Sequence, residues 1–327
     1  MSAAKRAGSE ISELFGRARE GHRGALARLI THLERAGPEA DEVAALTGSG
    51  AGEAHVVGIT GAPGAGKSSL TGRLLACLTG AGRVPAVLAI DPSSPITGGA
   101  ILGDRVRMDG LSQGAFVRSM ATRGHQGGLA FAVPATLRLL ARVGFDPLIV
   151  ETTGVGQVEV DIASAADTTV LVVAPGWGDA VQANKAGLLE VADVLVVNKA
   201  DRPGARDARR DLELMLDLGH ISGLEARSGH RPRIVMATST TGEGVDQVLA
   251  AIDEHRALIV ASGAQAERRM RRRRLEVGGR VARRLEAITT EVLDSDAGRA
   301  ALAGVDEERL SPAEAALVVV AEIVHRS

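Results

Sequence analysis

The hydrophobic pattern of the chain changes character twice. Over residues 1–50 the apolar positions recur every three or four residues: Ile11, Leu14 and Phe15, then Ala25, Leu26, Leu29, Ile30 and Leu33. That period predicts amphipathic helices. The run Gly48-Ser49-Gly50-Ala51-Gly52 reads as a linker. Beyond it the pattern becomes one of short, continuous apolar runs at 55–60, 84–90, 147–151, 168–174, 193–197 and 233–237, with helix-period stretches between them. Runs without alternation are expected of strands covered on both faces of a parallel sheet. From 263 onward the helical period returns. Leu275, Val281, Leu285, Ile288 and Val292 fall at roughly heptad spacing behind the run Arg268-Arg269-Met270-Arg271-Arg272-Arg273-Arg274. A last helix is predicted to start at Ser311-Pro312-Ala313-Glu314, with serine as cap and proline in the first turn. The pattern thus predicts a helical extension over 1–50, an α/β domain with a mostly parallel sheet over 51–262, and a helical arm over 263–327.

The run at 55–60 leads directly into GAPGAGKS, Gly61–Ser68, which fits G-x-x-x-x-G-K-[ST], and helical spacing follows from Ser69. Strand, glycine loop and helix together give the context of a phosphate loop in a three-layer P-loop NTPase. Gly61, Gly64 and Gly66 lack Cβ atoms, so Gly61, Ala62, Pro63, Gly64, Ala65 and Gly66 can turn their N–H groups toward one phosphate. The N-terminus of the next helix, with Lys67, Ser68 and Ser69, adds its own free N–H groups. In this motif the lysine reaches the β- and γ-phosphates and the hydroxyl of Ser68 is a Mg²⁺ ligand. Ala62 stands where deviant phosphate loops carry a second lysine.

Asn198-Lys199-Ala200-Asp201 sits at the carboxyl end of the strand predicted over 193–197, where ligands of open α/β sheets bind. A carboxylate at Asp201 accepts from both N1–H and the exocyclic amine of guanine; adenine has neither donor there and would leave the charge unpaired. Asn198 would tie this loop to the phosphate loop, and the Lys199 stem would cover the base. A third loop, Thr238-Ser239-Thr240-Thr241-Gly242-Glu243-Gly244, follows the last strand and suits backbone contact with the guanine carbonyl. The combination points to GTP, making the α/β domain a G domain.

Composition narrows the classes. At 327 residues and 45% apolar content, the chain can build one such core with extensions. Aromatics are only 2% and the net charge is −2, which argues against nucleic-acid partners. The single cysteine, Cys77, excludes an internal disulfide framework and is expected to fill a small buried position. The N-terminus lacks an apolar signal core and no stretch is long enough to span a bilayer, so a cytoplasmic protein without a membrane partner is expected.

Between the two anchors lie the candidate catalytic segments. Asp91 closes the strand at 84–90, where a carboxylate can hold Mg²⁺ or orient the attacking water. Asp104, on a glycine-rich loop, admits two readings, a metal ligand that arrives when GTP closes the loop or a helix N-cap. The strand at 147–151 ends in Glu151-Thr152-Thr153-Gly154-Val155-Gly156-Gln157, with Glu151 on the metal side and the Gly154 N–H available to a γ-phosphate. Arg105, Arg107, Arg118 and Arg123 offer cations either for phosphate charge or for surface ion pairs. The arginine run admits a solvated face, a subunit contact or a nucleic-acid patch; the apolar stripe behind it admits an intramolecular core or a dimerisation arm.

The ordered set GAPGAGKS, DPSSP with GGAILGDRVRM, VRSMATRGHQGGLA, ETTGVGQVE, PGWGDAVQANKAG, EVADVLVVNKAD and TGEG resembles the methylmalonyl-CoA-mutase-associated GTPases (MeaB/ArgK type, SIMIBI class), over roughly 50–250. The resemblance implies a GTP-hydrolysing chaperone that docks on adenosylcobalamin-dependent methylmalonyl-CoA mutase, gates cofactor loading and protects or reactivates it, and is a homodimer through its C-terminal arm. It implies phosphate binding by Gly61–Ser68, a magnesium side made of Ser68, Asp91, Asp104 and Glu151, guanine binding by Asn198, Lys199 and Asp201, and a switch over Glu151–Glu159. The chain departs from the family's usual residues at Val158, Thr153, Trp177, His125 and Gln126, all outside the nucleotide motifs. Rival readings are a nickel- or zinc-inserting GTPase, a kinase linked to arginine/ornithine transport and a signal-recognition GTPase. Eight scattered histidines, one cysteine and six methionines supply no metal tract and no Met-rich domain, and no motif specifies a phosphoryl acceptor.

Overall fold

The computed structural model describes residues 3–35, 37–48, 54–91, 114–121, 132–152, 158–176, 189–221 and 230–326. Seven strands, β1 (Val56–Thr60), β2 (Ala86–Asp91), β3 (Phe116–Ala121), β4 (Leu148–Thr152), β5 (Thr168–Val173), β6 (Val194–Val197) and β7 (Arg233–Met236), form one sheet in the order β3-β2-β4-β1-β5-β6-β7. Every neighbouring pair is parallel. Parallel pairing requires crossovers: α4 (Lys67–Gly80) joins β1 to β2, α5 (Val133–Arg142) β3 to β4, α6 (Val158–Ala165) β4 to β5 and α7 (Ala205–Ile221) β6 to β7, while α8 (Val245–Ala261) follows β7. Three helices precede the sheet, α1 (Ala3–Arg19), α2 (Arg23–Arg35) and α3 (Pro38–Thr47), and three follow it, α9 (Ala264–Leu293), α10 (Asp296–Asp306) and α11 (Pro312–Arg326).

Successive residues of a strand point to opposite faces, and the sheet is apolar on both. On one face Val56, Leu88, Ile90, Leu148 and Val150 pack with Leu29 and Ile30 of α2, Val43 of α3, Leu140 of α5 and Ile162 of α6. On the other face Val57, Ile59, Val87, Ile149, Val170 and Val196 meet Leu70, Leu74 and Leu75 of α4 and Val248 and Ile252 of α8. A third cluster joins Leu171, Val173, Leu195 and Val197 to Ala205, Ala208 and Leu212 of α7. The result is the three-layer P-loop architecture that the unbroken apolar runs imply. No described helix is long and apolar enough to cross a membrane.

The N-terminal helices share the core of the sheet instead of forming a core of their own. The chain divides into two compact units, residues 1–272 and 273–327. In the second unit, Ser311 caps α11 by accepting from the Glu314 N–H at 3.2 Å, while Glu314 Oε2 accepts from the Ser311 N–H at 2.8 Å. This reciprocal capping box satisfies two otherwise unpaired donors.

Two features differ from the sequence reading. The strand β3, FVRSMA, lies outside the six apolar runs that predict strands; it stands at the sheet edge, is only partly buried and so accommodates a charge and a hydroxyl. Its Arg118 is ion-paired with Glu34 of α2 and donates to Thr31 Oγ1 at 3.3 Å, so it fastens the N-terminal helices to the edge strand. Cys77, expected to be buried, is exposed on α4; the neighbouring Leu74, Leu75 and Leu78 take the inward face.

At the amino ends of the central strands lies a buried polar network. Arg268 of α9 donates to both oxygens of Asp193 at 2.8 and 2.9 Å, a fork-on-carboxylate pair with Arg268 5% and Asp193 0% exposed. Asp193 also accepts from the Thr169 N–H at 2.8 Å. Burial pushes the Asp193 carboxyl up, but hydrogen bonds from Arg268 and His255 outweigh it and hold the group far below the ordinary carboxylate range. Arg272 reaches Asp167 Oδ1 at 3.2 Å, and Asp167 Oδ2 accepts from the Val56 N–H at 3.0 Å. Two members of the arginine run are therefore internal clamps, a role outside all three readings considered for it; Arg271, Arg273 and Arg274 remain exposed. Between the clamps, Thr168 Oγ1 contacts His55 Nε2 at 2.8 Å and His255 Nδ1 at 2.7 Å. Burial, then the charges of Arg256 and His255, lower His55 from 6.5 to about 3. His55 is thus neutral, and at 3.9 Å from Asp167 it forms no ion pair.

Removing Arg268 would strand a buried carboxylate. Arg268→Ala is expected to cost about 3–5 kcal/mol in urea unfolding, and Arg268→Met combined with Asp193→Asn less than the two single losses summed. For His55 the folded value lies below the unfolded one, so the unfolded chain binds the extra proton in acid. Its contribution is complete above pH 6.5 and drains as pH falls toward about 3. Unfolding midpoints measured against pH should show this decline in the wild type and a flatter profile in His55→Asn.

Candidate functional site

Because all strands run parallel, their carboxyl ends deliver every candidate loop to one edge of the sheet. The loop after β1 begins at Gly61, where φ is +140° and a Cβ would lie 2.1 Å from the Val172 carbonyl oxygen. Only glycine fits that strand-to-loop exit, because conformation and contact both exclude a side chain. The Ala65 N–H closes a tight turn onto Ala62 O at 3.2 Å. Gly66, in the left-handed region at φ 94°, caps α4, whose first residues are Lys67, Ser68 and Ser69. Lys67 is buried, and its ammonium donates back to Gly61 O at 2.6 Å and Ala62 O at 3.0 Å.

Two carboxylates border this loop. Asp91 is the last residue of β2 and Glu151 the penultimate residue of β4, each 3% exposed. The register pairs Ala89 with Glu151, so Asp91 stands two positions nearer the carboxyl edge. Ser68 Oγ donates to Glu151 Oε1 at 2.5 Å. That bond joins the start of α4 to the end of β4, two elements that flank the loop. Asp104 and Gly154 lie outside the described residues, as do residues 153–157 of the expected switch and Arg105, Arg107 and Arg123.

After β6 the buried carboxamide of Asn198 links three loops. Its Nδ2 donates to Ala65 O at 2.9 Å, and its Oδ1 accepts from the N–H and hydroxyl of Ser239 at 3.1 and 2.7 Å. Carbonyls on one side and donors on the other fix which end of the amide is which. A Cβ on Gly66 would lie 2.3 Å from this Nδ2, so the approach of the two loops depends on that glycine. Lys199 adopts φ +56° and donates from Nζ to Gly64 O at 2.5 Å, laying its stem across the phosphate loop. Asp201 is exposed, and the backbone beside it is pinned by Ala200 N–H to Ala237 O at 3.0 Å. Thr238 and Ser239 are buried and Thr240 is exposed at the start of the loop after β7.

One residue of this assembly carried no sequence signal. Arg73, on the second turn of α4, donates from Nε to Ser239 O at 3.0 Å and from its terminal amine to Thr240 O at 2.5 Å. Its partners lie 166 and 167 positions along the chain, a separation that no local pattern encodes.

With this geometry in view, the comparisons with known proteins are specific. Residues 26–293 match the family model of the methylmalonyl Co-A mutase-associated GTPase MeaB. GTPase ArgK of Escherichia coli is 34% identical over 259 residues, covering 77% of this chain and 78% of that one. A fused isobutyryl-CoA mutase of Cupriavidus metallidurans is 41% identical over 201 residues, covering 59% of this chain but only 18% of that much longer protein. Among solved structures, a LAO/AO transport system kinase superposes with a TM-score of 0.67 at 25% identity, covering 96% of this chain and 98% of that one. Phosphate loop, guanine-type loop and family match thus fall on one stretch of sequence, and the chain belongs to the MeaB family of P-loop GTPases.

Proposed function

We propose that the protein hydrolyses GTP as the timing signal of a cytoplasmic chaperone for an adenosylcobalamin-dependent acyl-CoA mutase, with methylmalonyl-CoA mutase as the client. The observation that carries this reading is the fused isobutyryl-CoA mutase, in which a segment similar to 201 residues of this chain is covalently part of a mutase. Domains joined in one chain in one organism are natural partners as separate chains in another. GTP would then gate cofactor loading and protect or reactivate the mutase, with phosphoryl transfer to water and the change of state between GTP and GDP as the timing step.

In this reading Gly61–Ser69 cradle the phosphates. The Lys67 ammonium, already oriented by two loop carbonyls, would meet the β- and γ-phosphates with little reorganisation. Ser68, Asp91 and Glu151 offer only hard oxygen donors, and the direct Ser68–Glu151 contact brings two of them together; such a set suits Mg²⁺. Asp104 would complete it. The ion, when bound, neutralises charge on the phosphate oxygens. Gly154 would report the γ-phosphate to the switch through its N–H. Asp201 would accept from guanine, with Asn198, Lys199 and Thr238–Thr240 shaping its pocket. In the second unit Val277, Val281 and Leu285 of α9 and Leu317, Val320 and Val324 of α11 are exposed at helical spacing, a pattern that suits a homodimer formed with a second arm.

Two measurements test this. Asp201→Asn is expected to weaken GTP binding by about a hundredfold and to restore turnover with xanthosine triphosphate, whose 2-oxo group accepts where guanine donates; unchanged GTP preference removes the guanine assignment. Adding methylmalonyl-CoA mutase is expected to change GTP turnover by about fivefold or more and to yield a complex in size-exclusion chromatography. A mutase that neither binds nor alters turnover ends the chaperone reading.

A further inference from the structure

The loop after β7 follows a strand that, among the described residues, has a neighbour on one side only. Within the loop most backbone donors are engaged. The Ser239 N–H goes to Asn198 at 3.1 Å, those of Thr241 and Gly242 go to Thr238 O at 3.1 and 2.8 Å, and that of Glu243 goes to Thr241 Oγ1 at 3.3 Å. The Thr240 N–H makes no hydrogen bond among the described residues. The two carbonyls flanking Thr240 in the chain, its own and that of Ser239, are both taken by the Arg73 fork.

A trans peptide is planar, with its C=O and N–H pointing in opposite directions. Holding Ser239 O against α4 therefore turns the Thr240 N–H to the other side of the loop. A guanidinium does this better than an ammonium, because its planar fork presents two donors at fixed separation to two successive carbonyls. Arg73 also stands on the same rigid helix that Lys67 begins. The start of the loop is thus held twice, by Asn198 on the N–H and hydroxyl of Ser239 and by Arg73 on the carbonyls of Ser239 and Thr240.

We propose that Arg73 is a positioning residue for base recognition: it presets the Ser239–Thr240 peptide so that the Thr240 N–H donates to the 6-oxo group of the purine. Arg73 touches no part of the nucleotide itself. The proposal rests on the GTP reading given above and deepens it.

The test compares GDP, ADP and 6-thioguanosine 5′-diphosphate, which keeps N1–H and the 2-amino group but carries a weakly accepting sulfur in place of the 6-oxo group, by calorimetric titration of the full chain. Arg73→Ala is expected to lose about fivefold to tenfold in GDP affinity and to bind the 6-thio analogue about as well as the wild type does, so that preference for the oxo group collapses. Arg73→Lys, which keeps stem and charge but not the fork, is expected to recover part of the GDP loss, and it carries the same readout if the alanine variant does not fold. Equal losses for both nucleotides would reduce Arg73 to a structural tether and overturn the proposal, as would no loss for either. A wild type that binds ADP as tightly as GDP would remove the guanine reading, and the role of Arg73 with it; a wild type that prefers GDP, with an unchanged oxo preference in the variants, would overturn the role of Arg73 alone.

Discussion

The carboxamide of Asn198 has four hydrogen-bonding capacities, and the structure uses them to join loops that are remote in sequence. Its amine holds Ala65 in the phosphate loop and its oxygen holds Ser239 in the loop after the last strand, while Asn198 itself begins the loop after β6. A buried amide half satisfied would cost more than an apolar side chain in its place, so the geometry of all three loops is mutually constrained. The constraint reaches back into the sequence. Gly66 lacks a Cβ because the amide nitrogen would collide with it, and Gly61 lacks one because the β5 backbone passes underneath. Arg73 adds a second tie between α4 and the Ser239–Thr240 peptides. The loops after β1, β6 and β7 are therefore fixed relative to one another.

The two ends of the sheet follow opposite designs. At the carboxyl ends the polar groups are mostly backbone amides and carbonyls, with Asp91 and Glu151 as buried acids beside them. Such an end can exchange its internal hydrogen bonds for those of a ligand. At the amino ends the network of Arg268, Asp193, Arg272, Asp167, His55 and His255 closes on itself. Each carboxylate there has both a cation and a backbone donor, the condition under which burying a charge is tolerable. That end anchors the first turns of α9 to the starts of β5 and β6, and its bonds leave it little capacity for ligands.

The sequence made the fold class and the family legible because both rest on short-range rules. Unbroken apolar runs mark strands covered on two sides, and GAPGAGKS and NKAD each pack their chemistry into a few consecutive residues. Ser311-Pro312-Ala313-Glu314 was equally readable, since a capping box is a bond between residues three apart. What escaped was decided over long separations. Strand β3 escaped because it is a partly buried edge strand whose Arg118 finds its partner Glu34 84 positions away on α2. Arg268 belongs to a run that admits a solvated face, a subunit contact or a nucleic-acid patch in sequence, and only folding places a buried carboxylate 75 positions earlier against it. Cys77 has the size and polarity of a core residue, and only the rotation of α4 about its axis turns it outward.

By itself, then, the sequence determined the kind of sheet, the loops at its carboxyl edge and the residue types that those loops present. Each of these follows from backbone conformation and side-chain chemistry within a few residues. The tertiary structure alone decided which arginines are buried, which edge strand completes the sheet and which side chain ties the loop after β7 to α4. Those outcomes depend on what a residue meets across the fold, and a guanidinium on a helix reads the same in sequence whether it faces water, a carboxylate or two carbonyls.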